Sequence, residues 1–171
     1  MRTDRIGRLA AALGIIVIVV GASRAQAADA PAKPTSARRV VVSIPDRKLA
    51  LIENDDVVTV FEVAVGAPWS PSPTGTFTIV NRISNPTYYK PRKVIGPGAA
   101  NPLGTRWIGL SEKGYGIHGT DKPRSIGFAK SHGCIRLRNQ DVERLFTLVR
   151  TGDAVELYDD RTPEIERLFS R

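Results

Sequence analysis

The only cysteine of this 171-residue chain lies in the stretch SHGCIRL, residues 131–137, two positions after one of its two histidines. The other histidine, His118, precedes this stretch at the end of the run GYGIHGT. A cysteine thiol is mostly protonated near neutral pH and needs a base or an electropositive site to become a nucleophile. Cys134 together with His118 and His132 therefore predicts a catalytic site at strand and loop ends.

Three chemical interpretations of this group of residues are open. In the first, Cys134 is a nucleophile, a histidine from another strand takes its proton, and Gly133 lets amides of a tight turn form an oxyanion hole. In the second, His118, His132 and Cys134 bind zinc, although a fourth ligand would be a carboxylate or water and no CxxC or HExxH spacing is present. In the third, Cys134 is a small buried core residue, although Arg136 and the preceding Ser-His-Gly are not apolar neighbours. The pattern favours the nucleophile.

Short β-rich runs, not long helices, must position these residues. The breaks PDR and NDD separate the first three runs, which is typical of an antiparallel meander. A helix is predicted in RNQDVERLFTLVRTGD, with Asn139 or Gln140 as its cap and Gly152 as its stop, and a helix after Cys134 would favour the thiolate. The irregular segment 84–105 is long enough to act as a lid over the site. Strands are predicted over 40–44, 48–53, 57–65, 76–82, RWIGL, GYGIHGT and AVELYD.

The first 38 residues are predicted to lie outside the folded domain. Three arginines precede an apolar run over 9–22, and AQA at 25–27 fits a cleavage site, so residues 1–27 are predicted to be a signal peptide. An uncleaved membrane anchor is the alternative, but the apolar run is short for a bilayer span. Residues 28–38 are rich in Ala, Pro and Lys and predict a flexible linker. The protein is therefore expected in the periplasm or cell wall.

Charge and cysteine content restrict the function classes. The net charge of +8 is spread thinly, and the longest basic run is Arg38-Arg39, which argues against a nucleic-acid partner and suits an anionic cell envelope. A lone cysteine cannot form an internal disulfide, and in an oxidising compartment such a thiol must be buried or used. Cys134 is therefore expected to be either buried or used in the function of the protein.

The motifs resemble the catalytic domain of the L,D-transpeptidases, the YkuD family of bacterial cell-wall enzymes. The stretch HGTDKPRSIGFAKSHGCIRL matches the family pattern of His-Gly, a spacer, and Ser/Thr-His-Gly-Cys followed by a hydrophobic residue and Arg or Asn. Upstream, SPSPTGTFTI and GPGAANPLGTRWIGL resemble two further family segments in the same order. The resemblance covers residues 39–160 and implies a mainly β fold, an antiparallel β-sandwich or barrel-like sheet with one or two packed helices. Residues 161–171 are expected to be a C-terminal tail, with a short helix as the alternative.

The resemblance also implies a role for each residue of the motif. Cys134 is expected to be the nucleophile, His118 the general base, and the carbonyl of Gly119 the group that orients the imidazole. His132 is expected to shape the pocket, with the amides of residues 132–134, including Gly133, near the oxyanion. Arg136 is expected to hold a substrate carboxylate or to brace the loop. Ser131 is expected to support the turn by hydrogen bonding.

The activity that the resemblance implies is acyl transfer through a thioester, from a peptidoglycan stem tetrapeptide to an amine on a neighbouring stem. It requires no metal and no cofactor. An amine on an outer-membrane lipoprotein is an alternative acceptor, and water as acceptor would make the protein an L,D-carboxypeptidase. A non-catalytic cell-wall-binding module is a further alternative. A carbapenem is expected to be a covalent inhibitor.

Overall fold

The computed structural model describes residues 38–170. The predicted signal peptide, 1–27, and the predicted linker, 28–38, therefore lie outside the described residues except for Arg38. That residue is tied to the domain by an ion pair of 2.6 Å to Glu53. Within 38–170, no helix has the length and apolar character that crossing a membrane requires.

Short strands dominate the described part of the chain, as the β-rich composition predicted. Helix α1 spans Asn139–Leu148, helix α2 spans Pro163–Phe169, and a 3₁₀ turn lies at Pro123–Ser125. The strands are β1 (Arg39–Ser43), β2 (Lys48–Glu53), β3 (Asp56–Glu62), β4 (Val65–Gly66), β5 (Gly75–Ser84), β6 (Tyr88–Lys90), β7 (Lys93–Ile95), β8 (Arg106–Leu110), β9 (Gly116–His118), β10 (Ala129–Ser131), β11 (Ile135–Arg136) and β12 (Ala154–Tyr158).

Eight of these strands form one curled sheet in the order β11-β9-β8-β5-β12-β1-β2-β3. The predicted meander is confirmed, because β1, β2 and β3 pair antiparallel in succession. Strand β12 returns to the centre of the sheet between β5 and β1, and its pairing with β1 is parallel. The pairing of β11 with β9 is also parallel, and this junction brings the two motif segments together.

The curled sheet is buried on its inner face and, over β1 and β2, on its outer face as well. Val40 and Val42 point into the main core with α1, because alternate residues of a strand face opposite sides. Val41 points the other way and packs with Ile165 and Phe169 of α2. The C-terminal segment is therefore a core element of the domain and not merely a tail.

Four local predictions need correction. The run 57–65 is not one strand, because β3 ends at Glu62 and pairs with β2, whereas β4 begins at Val65 and pairs with β10. The N-cap of α1 is Arg138, which makes no side-chain capping bond, so neither Asn139 nor Gln140 caps the helix. The helix also starts only after β11, so Cys134 is not placed at its N-terminus. The segment 84–105 is not wholly irregular, since β6 and β7 form a hairpin within it.

Candidate active site

Cys134 lies in a bend directly before β11, whose Arg136 pairs in register with His118 of β9. The side chains of Cys134 and His118 line one cleft of about 470 Å³. Cys134 is half-buried, and its Sγ lies 3.6 Å from the carbonyl oxygen of Gly114, to which the thiol donates.

The His118 imidazole is held in a single orientation. It is 4% exposed, and its Nδ1 lies 2.6 Å from the carbonyl oxygen of Gly119. Because a carbonyl can only accept, Nδ1 carries the proton and Nε2 has a free lone pair. The ring also stacks on Trp107, with centroids 5.7 Å apart and planes 24° from parallel. This is the tautomer that a general base acting through Nε2 needs.

Burial favours the uncharged forms of both groups. Desolvation lowers the pKa of His118 from 6.5 to about 4, with the Arg136 charge acting in the same direction and the Gly119 hydrogen bond opposing it. Desolvation also raises the pKa of the Cys134 thiol, against the effects of the Gly116 backbone and of Arg136. The site therefore holds a neutral thiol and a neutral imidazole that line the same cleft. A thiolate preformed by a helix N-terminus is not what the structure contains.

The turn between β10 and β11 is fixed by Ser131, which is 1% exposed. Its hydroxyl donates to the carbonyl of Cys134 at 2.6 Å and accepts from the amide of Gly133 at 3.0 Å. The Gly133 amide is thus engaged within the turn, which leaves the amides of His132 and Cys134 as the candidate oxyanion donors. Gly133 itself has φ +104°, and a Cβ there would lie 2.6 Å from the ring of Tyr115. Only glycine fits this position without strain.

Arg136 and His132 flank Cys134 in the sequence. The main chain of Arg136 is bonded in both directions to Ala64, at 2.9 Å each way, while one guanidinium nitrogen donates to the Lys130 carbonyl at 3.3 Å. Its Nε is buried without a hydrogen-bond partner. His132 is exposed at the cleft edge. Internal hydrogen bonds within residues 38–170 do not engage all the polar atoms of either side chain, so both can contact a substrate.

One wall of the cleft comes from the segment 84–105. Pro86, Thr87, Tyr88, Tyr89, Pro102 and Leu103 line it opposite the motif residues. Asn101, 1% exposed, holds this segment in shape: its side-chain nitrogen donates to the carbonyls of Pro86, Ile95 and Gly96. The segment therefore overlies the site in the position expected of a lid. It supplies a largely apolar surface for the body of a substrate.

Two residues of the site escaped the sequence reasoning. Trp107 faces His118 across the β8–β9 pair, and the alternation of RWIGL could have revealed this register. Asn139 was interpreted as a helix cap, but its Oδ1 accepts from the amides of Thr105 at 3.3 Å and Thr120 at 3.1 Å. It therefore braces the chain immediately after His118. No local pattern signals this role, because Thr105 and Thr120 are distant in sequence.

The two rival interpretations of Cys134 find little support in this geometry. Within residues 38–170 there is no cluster of three or more His, Cys, Asp or Glu side chains arranged to hold a metal ion. The Nδ1 of His118 is already committed to Gly119. The sulfur is not enclosed in hydrocarbon either, because it lies in an open cleft with polar neighbours.

Sequence comparison connects this chain with one family. A family model for the YkuD L,D-transpeptidase catalytic domain matches residues 37–157. A relative from Bacillus licheniformis named as the L,D-transpeptidase YkuD is 41% identical over 70% of this chain and 64% of its own length. The L,D-transpeptidase YqjB of Bacillus subtilis is 39% identical over 71% of each chain. The chain thus spans about two thirds of the length of these relatives.

Solved structures show the same fold. An L,D-transpeptidase from Mycobacterium tuberculosis matches with a TM-score of 0.62 and 20% identity, covering 72% of this chain and 58% of that one. The L,D-transpeptidase LdtMt1 in complex with imipenem matches with a TM-score of 0.62 and 21% identity, over 72% and 59% of the two chains. The predicted mainly β fold with packed helices is confirmed.

Proposed function

Because this chain belongs to the YkuD family of L,D-transpeptidase catalytic domains, we propose that it is a cysteine L,D-transpeptidase acting on peptidoglycan stem tetrapeptides. Cys134 is the nucleophile, His118 the general base and the Gly119 carbonyl the group that orients the base. The substrate lies outside the cytoplasm, so the proposal includes export to the periplasm or cell wall. No metal or cofactor enters the reaction.

Acylation follows from the neutral resting state of the site. As Sγ attacks the carbonyl carbon of the substrate's L,D-peptide bond, Nε2 of His118 takes the thiol proton, so the thiolate exists only as the bond forms. Amides of His132 and Cys134 stabilise the oxyanion. The imidazolium then gives its proton to the departing amine of D-alanine, the C–N bond breaks, and a thioester remains on Cys134.

The second step reverses these proton movements. An amine from a neighbouring stem attacks the thioester carbon, a C–N bond forms and the C–S bond breaks. The amine proton passes through His118 to the sulfur, which restores the thiol. The energy of the original amide is carried in the thioester, so no nucleotide is consumed.

One observation carries the proposal: His118 and Cys134 line the same cleft while the Nδ1 of His118 is bonded to Gly119. That bond leaves Nε2 as the base. The imipenem complex of LdtMt1 and a faropenem-derived adduct of an L,D-transpeptidase 3 from Mycobacterium tuberculosis concern proteins of the same fold. They support the choice of a carbapenem as a covalent probe.

Intact-mass measurement after incubation with imipenem tests the nucleophile. We expect one adduct on the wild-type chain and none on Cys134→Ala, and we expect His118→Ala to slow adduct formation more than His132→Ala. Circular dichroism of each variant checks that the fold is retained. An adduct that persists on Cys134→Ala would remove the nucleophile assignment, and a wild-type chain without any adduct would favour a non-catalytic wall-binding module.

Defined muropeptides decide the acceptor. Mass spectrometry of the products distinguishes a cross-linked dimer, expected for a transpeptidase, from a shortened tripeptide, expected for an L,D-carboxypeptidase. A lipoprotein-derived peptide with a free amine tests the anchoring alternative in the same assay. Metal analysis of protein purified without chelator tests the zinc interpretation.

A further inference from the structure

A second cleft adjoins the catalytic one at the motif that carries Cys134. It has a volume of about 390 Å³ and we name it the basic groove; it is lined by Trp69, Lys122, Ser125, Lys130, His132 and Arg136. His132 and Arg136 line both clefts and stand two positions before and after Cys134. The two clefts therefore adjoin at the motif that carries Cys134. His118 and the sulfur of Cys134 line only the catalytic cleft.

The charges that line the basic groove favour the binding of an anion. Lys122, Lys130 and Arg136 contribute three cations, and no acidic side chain lines it. Among residues 38–170, no carboxylate lies within ion-pair distance of any of these three. Cations left unneutralised in a concave site attract a carboxylate, and the planar guanidinium can bind it through two N–H groups.

The Trp69 wall of the groove is anchored to the catalytic motif. Trp69 is 79% exposed at the tip of a tight turn, in which the amide of Ser70 donates to the carbonyl of Ala67 at 2.8 Å. The amide of Ala67 donates in turn to the carbonyl of Ser131 at 3.0 Å. The indole is thus held beside the motif without being buried, where it can shield a bound ligand from water.

The opposite wall, which carries Lys122, is also fixed. The amide of Lys122 donates to Thr120 Oγ1 at 3.0 Å, and Ser125 Oγ donates to the Lys122 carbonyl at 2.7 Å. Thr120 follows directly after the His118-Gly119 pair. The main chain of this wall is therefore fixed by contacts that do not involve the segment 84–105.

The proposed reaction brings the same chemical group past Cys134 twice. In acylation the leaving group is D-alanine, an amine with a carboxylate on the adjacent carbon. In the second step an amine enters along the path by which the first one left, because aminolysis of the thioester is the reverse of acylation. An amine with its carboxylate on the same carbon, as in a diamino acid, suits a site that has just released D-alanine.

We propose that the basic groove binds the α-carboxylate of the leaving D-alanine and then that of the incoming acceptor, which makes Lys122, Lys130 and Arg136 determinants of acceptor specificity. This rests on the proposed function, because it requires a thioester on Cys134. It predicts that the preferred acceptor is an amine with a carboxylate on the same carbon. Water and amines that lack such a carboxylate are then poorer acceptors.

The test measures how one thioester divides between two acceptors. The chain is incubated with a stem tetrapeptide and isotope-labelled D-alanine, and mass spectrometry gives the ratio of labelled tetrapeptide to hydrolysed tripeptide. Both products come from the same thioester, so the ratio is independent of the acylation rate. In Lys122→Gln/Lys130→Gln we expect the ratio to fall roughly tenfold, as lost charge-assisted contacts predict.

Two alternative acceptors and one control variant sharpen the test. D-Alaninamide lacks the carboxylate, and in Nα-acetyl-lysine the amine is far from it, as in a protein lysine. We expect both to give low ratios that the double variant does not change. Arg150→Gln/Arg167→Gln removes two exposed charges that line neither cleft, and it should leave the ratio for D-alanine at the wild-type value.

The outcomes distinguish failure of the groove assignment from failure of the proposed reaction. If the thioester forms but the ratio is the same in Lys122→Gln/Lys130→Gln, or if D-alaninamide or Nα-acetyl-lysine loses as much as D-alanine, the groove assignment is wrong. If neither imipenem nor the tetrapeptide acylates Cys134, the proposed function fails and the groove assignment fails with it. Calorimetric binding of D-alanine to Cys134→Ala that weakens in the lysine variants would support the groove without turnover.

Discussion

At the scale of single residues, the site works through a pair that is uncharged at rest. His118 and Cys134 are both shifted toward their neutral forms by desolvation. In the proposed reaction the proton therefore moves only when the carbonyl carbon is attacked, and the Gly119 carbonyl stabilises the imidazolium formed then. A buried neutral histidine also affects folding, because the unfolded chain binds a proton more readily than the folded one.

We expect the free energy of unfolding to fall as the pH is lowered from about 6.5 to about 4, the window between the unfolded and folded pKa values of His118. The full contribution, about 3 kcal/mol, is present above this window and is lost below it. Urea unfolding at pH 7.5 and pH 4.5 measures the effect. In His118→Gln this contribution is absent, so the stability difference between wild type and variant should narrow as the pH falls. A constant difference would show that His118 is not buried in its neutral form.

At the scale of elements, the site depends on the parallel junction between β9 and β11. Strand β9 carries His118 and β11 follows Cys134, so the register between them sets the distance over which the proposed proton transfer takes place. The register is secured from outside the junction. The amide of Leu137 donates to the His118 carbonyl at 2.8 Å, and Asn139 at the start of α1 accepts from Thr120 beyond the end of β9.

We expect Asn139→Ala to lower the acylation rate on the order of 10-fold to 100-fold, because a small displacement of Gly119 misdirects the imidazole. Asn139→Asp keeps an acceptor oxygen in place and should recover most of the rate. Gln140→Ala, at the exposed neighbouring position, serves as the control and should match the wild type. Stopped-flow acylation by imipenem measures the rates. A loss in Asn139→Ala that Asn139→Asp does not restore would mean that Asn139 acts through packing and not as an acceptor.

At the scale of the whole molecule, the centre of the sheet is formed by segments from both ends of the described chain. Strand β12 lies between β5 and β1, and α2 then covers the outer face of β1 and β2. Helix α2 begins with Thr162, whose hydroxyl accepts from the amide of Ile165 at 3.3 Å, and Lys48 binds the Phe169 carbonyl at 3.0 Å. The segment 161–171 is therefore expected to matter for stability and not for chemistry.

We expect Ile165→Ala to reduce the free energy of unfolding by about 2–5 kcal/mol, because it removes a fully buried side chain from the interface with Val41 and Ile52. Glu166→Ala, at an exposed position of the same helix, should change it by less than about 1 kcal/mol. Chemical denaturation measures both. Imipenem acylation of folded Ile165→Ala should match the wild type, and a specific loss of acylation would contradict the separation of this helix from the site.

Local sequence patterns account for much of the fold and identified the motif residues that line the catalytic cleft. The predicted strands 48–53 and 106–110 have the observed bounds, because short β-branched and apolar runs between turn residues identify strands without reference to the rest of the chain. The fold class that the ordered motifs implied is also confirmed. The roles assigned to Cys134 and His118 stay predictions until the acylation experiments are done.

The tertiary structure alone decided the features that depend on contacts between distant segments. The stacking of Trp107 on His118, the bracing by Asn139, the burial of α2 and the basic groove each join residues that are far apart in sequence. The protonation states of His118 and Cys134 were also decided by the tertiary structure, because the pKa of a group depends on what surrounds it in space. The sequence by itself determined which groups are present and which strands carry them. Their burial, tautomer and neighbours were determined by how the sheet curls.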